Sequence, residues 1–128
     1  MAWLQLIALL AVVQLFVFGV LVGWARARYG IAAPATTGHD IFDRYYRVHM
    51  NTIETLILFL PSLWVAGQYW SGIWVPALGS VYLVGRVLYL HGYVADPKKR
   101  GLGYALSVLP TLVLMVAALV GVVNALLE

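Results

Sequence analysis

Residues 3–24 read WLQLIALLAVVQLFVFGVLVGW, an apolar run with no Lys or Arg before it. The hydrocarbon core of a bilayer takes about 20 mostly apolar residues per helix, so this stretch predicts a membrane-spanning helix. The run is too long for a typical signal-peptide core. Although Ala25-Arg26-Ala27 faintly mimics a cleavage site, a retained helix is expected.

The rest of the chain follows the same logic. Of 128 residues, 63% are hydrophobic and 10% charged, with a mean hydropathy of +0.91. Soluble domains carry about a quarter charged residues, so this chain lacks a polar shell and its outer surface must meet lipid. A second helix is expected at about 40–70, polar on one face of its first half. The Ser71-Gly72 turn leads to a third at about 73–94, and Asp96-Pro97-Lys98-Lys99-Arg100-Gly101 separates it from a fourth at about 102–126. The fold class is therefore an all-α membrane protein, a single four-transmembrane-helix domain over residues 1–128. Pro61 and Pro110 fall inside helices and read as kinks, which neighbouring helices can re-satisfy. A bundle this small is a thin wall around any polar interior, so an oligomer is expected.

Charge placement sets topology. The formal charge of +3 does not come from one basic patch, so nucleic-acid binding is set aside. Arg26 and Arg28 border the first connection, taken as 25–39, and Lys98, Lys99 and Arg100 fill the third. The second connection and both termini have no Lys or Arg. The positive-inside rule puts connections one and three in the cytoplasm and both termini outside. There is no cysteine, which excludes disulfides and a cysteine nucleophile. His39, His49 and His91 share no ligand spacing, so no metal site is expected. His49 and His91 read as packing or interface residues.

Ionisable residues at membrane depth cost about 2.5–3.5 kcal/mol each and mark functional sites. Arg44, Arg47, Asn51 and Glu54 are spaced by three, four and three, on one stripe of helix two. Tyr82, Arg86, Tyr89 and Tyr93 are spaced by four, three and four, on one stripe of helix three. The stripes solve each other's burial if they face one another. A plain structural account makes Glu54 and Arg86 a buried ion pair that fixes register, and the tyrosines packing. The functional account is a pocket open to the cytoplasm, walled by Arg47, Asn51, Glu54 and Tyr93, with Arg26, Arg28, Lys98, Lys99 and Arg100 at its mouth. Guanidinium forks would grip carboxylates and Glu54 an ammonium. A zwitterionic peptide such as glutathione fits, and so does an anionic lipid head group.

The stretch from Asp43 to Glu54, DRYYRVHMNTIE, resembles the signature of the MAPEG family, the membrane-associated proteins of eicosanoid and glutathione metabolism. In that family arginine is followed by asparagine four residues on and glutamate three further. Val84-Gly85-Arg86-Val87, Tyr93, and the basic loop leading to Arg100 and Tyr104 extend the resemblance; the outer helices match only as apolar spans. The resemblance implies a homotrimer with glutathione as co-substrate, bound between protomers near the cytoplasmic side. Carried over by position, Arg47, Asn51, Glu54, Tyr89, Tyr93 and Tyr104 would bind the tripeptide. Arg100 would face its sulfur as the first candidate catalytic residue. Arg28 is the second, and Arg26 could take its part. Arg86 resembles a buried family arginine that need not touch ligand. Met50 stands where some prostaglandin-synthase members carry arginine, which argues against that substrate. Tyr89 is histidine in some members and tyrosine in leukotriene-synthase-like ones.

The implied activity is glutathione transfer, with glutathione-dependent peroxidase chemistry beside it, on lipophilic electrophiles drawn from the bilayer. The alternative is a non-catalytic membrane protein that binds lipid or glutathione. The short loops lean towards a bacterial inner membrane, with periplasmic termini.

Overall fold

The computed structural model describes residues 1–128 as four helices and no strand. These are α1 (Ala2–Tyr29), α2 (Asp40–Tyr69), α3 (Trp74–Ala95) and α4 (Gly101–Leu127), with a 3-10 turn at Pro97–Arg100 before α4. Helices α1, α2 and α4 are each long and apolar enough to cross a membrane. Helix α3 is not among these, because Arg86, His91 and three tyrosines dilute its Val and Leu. Its 22 residues nonetheless rise about 33 Å, enough for a hydrocarbon core of about 30 Å.

The first helix runs five residues past the expected end at Trp24. Ala25-Arg26-Ala27-Arg28 are good helix formers, and the stop is Gly30, whose φ of 71° closes a left-handed cap with its N–H donating to Arg26 O. Both arginines of the expected first connection therefore belong to the last turn of α1, where they suit the helix dipole. Helix α2 starts where His39 Nδ1 accepts from the Ile41 N–H at 3.1 Å. Asp43 reinforces that start, accepting from Thr37 Oγ1 at 2.8 Å and the Gly38 N–H at 3.1 Å. Helices α2 and α4 run unbroken through Pro61 and Pro110.

Only 27 of 128 residues are buried, and the exposed surface is studded with Leu, Val and Phe, as suits a helix bundle surrounded by lipid. The main core, including Ile7, Phe59, Leu63, Tyr82 and Leu114, fills the half towards the termini. Phe18, Val48 and Tyr89 form a smaller cluster nearer the first and third connections. Hydroxyls inside the bundle are hidden by donating to the carbonyl one turn back, as in Thr52 to Val48 O, Ser107 to Gly103 O and Thr111 to Ser107 O. Trp70 Nε1 ties α2 to α4 through Ala117 O at 2.8 Å.

Helices α3 and α4 approach almost backbone to backbone. A Cβ at Gly85 would stand 2.7 Å from the Leu106 carbonyl carbon, and one at Gly103 would overlap the Tyr89 backbone. Small residues allow this approach where lipid supplies no hydrophobic drive between helices. The seam sets the height of Tyr89, which lines a cavity between α2, α3 and α4.

Candidate functional site

At the end of the bundle that holds the basic connections, α2, α3 and the start of α4 enclose a cavity of about 500 Å³. Its lining is Arg47, Asn51, Tyr89, Tyr93, Arg100 and Tyr104, with the Gly101 backbone. That volume lies in the usual range for small-molecule sites, about 300–1,000 Å³. Arg47 and Asn51 point into it because they sit one helical turn apart on α2. Tyr89 and Tyr93 do the same on α3, their ring centroids 5.5 Å apart, and Tyr104 closes the other side 6.1 Å from Tyr89. Arg100 reaches the rim from the 3-10 turn, one guanidinium N–H held by Pro97 O at 2.8 Å. No acidic side chain lines the cavity, so it favours anionic or carbonyl-bearing ligands. A second cavity of about 370 Å³ at the opposite end, beside Trp3 and Trp70, has no charged side chain.

The remaining residues selected from the sequence lie elsewhere. Arg44 crosses to the end of α3 and donates to Val94 O at 2.9 Å. Arg26 turns into the first connection, donating to Ala35 O at 2.7 Å with its guanidinium carbon 5.0 Å from the Phe42 ring centre. Arg28 is exposed beside Tyr29. Lys98 and Lys99 are exposed on the third connection. His49 packs at Gly19 of α1, and His91 is exposed. Glu54 lies outside the cavity, exposed on α2 two turns beyond the equally exposed Arg47.

Consequently Arg86 is not paired with Glu54. Although fully buried, it donates through Nη2 to Asn51 Oδ1 at 2.9 Å and through Nη1 to Thr55 Oγ1 at 3.2 Å. Its guanidinium carbon lies 4.3 Å from the Tyr89 ring centre, a cation–π contact. Residues 54 and 55 differ by about 100° around a helix, and that turn hands the interior to Thr55 in place of Glu54. Thr55 Oγ1 also meets Tyr82 OH at 3.0 Å, and Tyr82 stacks on Phe59 at 3.8 Å. Sequence reading passed over Thr55, whose hydroxyl is inconspicuous in an apolar run, and Gln14, whose Nε2 ties α1 to Leu83 O at 2.9 Å.

The sequence pattern of the MAPEG family matches residues 4–120. The chain belongs to the MAPEG family. An uncharacterized protein of Synechocystis is 43% identical over 120 residues, covering 94% of this chain and 88% of that one. Human microsomal glutathione S-transferase 2 is 35% identical over 125 residues, covering 98% and 85%. Guinea-pig leukotriene C4 synthase is 37% identical over 99 residues, covering 77% and 66%. The matched region contains all four helices apart from the outermost residues of α1 and α4, so the cavity falls within what this chain shares with the family.

Proposed function

We propose that this MAPEG protein is a membrane glutathione transferase and glutathione-dependent peroxidase acting on lipophilic electrophiles from the bilayer. The observation that carries the proposal is the cavity itself. Six residues chosen from the sequence for glutathione converge there, and they form a cationic, donor-rich chamber in an otherwise apolar molecule. Arg47 and Asn51 would hold carboxylate or carbonyl groups of the tripeptide. Arg100 would stand by the sulfur and favour the thiolate through its positive charge. The thiolate attacks an electrophilic carbon, forming the S–C bond while the leaving group departs with its electron pair. With a hydroperoxide it attacks oxygen; the O–O bond breaks, the alkoxide takes a proton, and a second glutathione displaces the hydroxyl of the sulfenic acid as water to give the disulfide.

The exposed Arg47–Glu54 face supports an oligomer, and the homotrimer is what the family resemblance implies. Glu54 stands halfway along α2, at membrane depth, with no partner in its own chain. A charge there facing lipid would cost about 2.5–3.5 kcal/mol, so a neighbouring copy is the better cover. In that assembly Glu54 takes the glutathione ammonium, and Arg28 completes a neighbour's site. The positive-inside rule favours a cavity facing the cytoplasm, and the short loops favour a bacterial inner membrane. Apolar grooves on the protomer, such as that between α1 and α2 lined by Leu15, Ile53, Ile57 and Leu60, offer an approach for the second substrate.

The test is isothermal titration of glutathione into the detergent-purified protein, followed by conjugation of a chromogenic electrophile. Saturable binding with conjugate formation is the expected result. Binding without turnover would leave a carrier, and no binding to the folded protein would remove glutathione from the site.

A further inference from the structure

Arg86 is a buried cation whose hydrogen-bond partners include no carboxylate. What it does hold is an amide. A guanidinium has only donors, so Asn51 can face it only through oxygen. The Asn51 Nδ2, which has no acceptor in the chain, is thereby turned away from Arg86, and Asn51 is a wall of the cavity. Thr55 keeps the arrangement from rotating. Its one hydroxyl hydrogen goes to Thr52 O at 3.1 Å. Its two lone pairs are then taken by Arg86 Nη1 and the Tyr82 hydroxyl. The Thr55 hydroxyl is saturated, and the stacking of Tyr82 on Phe59 fixes its far end.

We infer that Arg86 is a positioning residue that locks the Asn51 amide with its NH2 towards the cavity, so that this wall accepts a carboxylate or amide carbonyl and refuses an ammonium. The inference rests on the glutathione reading and sharpens it. Only a carbonyl-bearing part of the tripeptide can lie at Asn51, and its amine must lie elsewhere.

Three variants of the full-length protein test this: Arg86→Met, Arg86→Lys and Asn51→Asp. In Arg86→Met the amide is free to turn, so the Kd and KM for glutathione should rise about tenfold, the scale of one lost charge-assisted hydrogen bond. The kcat at saturating glutathione should stay within about threefold. Arg86→Lys keeps a donor for Oδ1 and should recover most of the affinity. Asn51→Asp keeps an acceptor for Arg86, and hence the fold, but turns an oxygen into the site; its Kd should rise at least as much, with no loss of thermal stability. Only Asn51 and Asn124 are asparagines, so asparagine-selective side-chain 15N labelling gives two NH2 pairs. Saturating glutathione should shift the Asn51 pair further in the wild type than in Arg86→Met.

Wild-type affinity in both Arg86→Met and Asn51→Asp would overturn the positioning role while leaving glutathione in the site. An equal collapse of kcat and affinity that Arg86→Lys does not relieve would reduce Arg86 to a structural residue. Should Arg86→Met not fold, Asn51→Asp decides alone. A folded wild type that ignores glutathione would overturn both readings.

Discussion

Arg100 has given one N–H to Pro97 O and keeps four more at the rim of the cavity. If those face the glutathione sulfur, Arg100→Ala should lower kcat by about a hundredfold, the scale of removing one preorganised donor, while Kd changes little. The sign of the pH effect follows from charge. Loss of the cation raises the bound thiol's pKa, so the rate limb that rises with pH should move to higher pH in a pH–rate profile. Deeper in, Thr55→Val would strip Arg86 Nη1 of its acceptor and leave the Tyr82 hydroxyl unpaired. A buried unsatisfied donor costs about 1–3 kcal/mol, so a lower thermal midpoint in detergent is expected. Spacing made Arg47, Asn51 and Tyr93 legible as pocket residues, with Arg100 at the mouth, whereas Tyr89 and Tyr104 came as ligand candidates only from the family resemblance. The partners of Arg86 were not legible: the two stripes suggested Glu54 against Arg86, and only the rotation of α2 shows Asn51 and Thr55 in that place.

Apolar runs and turn residues made all four helices readable, but the end of α1 was not, because alanine and arginine continue a helix as readily as they leave one. The α3–α4 seam was also hidden. Glycine in a membrane helix signals either freedom or contact, and the sequence does not say which. At Gly103 it is contact, against the backbone of Tyr89. Gly103→Ala must push α3 and α4 apart, and overpacking of this kind costs about 1–3 kcal/mol. Since Tyr89 also forms the cavity wall, the variant should lose glutathione affinity together with thermal stability. By contrast, Gly23→Ala on α1, where a Cβ meets nothing, should change neither.

If the chain assembles as the proposed homotrimer, Glu54→Gln separates two roles of the exposed α2 face. A trimer that persists with weakened glutathione binding would assign Glu54 to the ligand, whereas dissociation to monomers would assign it to assembly; size-exclusion chromatography with light scattering distinguishes them. Topology is equally accessible, because the chain lacks cysteine and single cysteines can be placed without background. A cysteine at Thr36 should react from the cytoplasmic side, and one at Ser71 only from the opposite side. The modest apolarity of α3 bears finally on how the protein is made. A translocating channel sorts each emerging segment by its affinity for lipid, and one bearing an arginine and three tyrosines is a poor candidate for release on its own. Its tight glycine seam with α4 suggests that the two leave the channel as a pair. In a chain terminated after Ala95, a cysteine introduced midway along α3 should then stay reactive to a water-soluble maleimide, and extension through Leu127 should protect it.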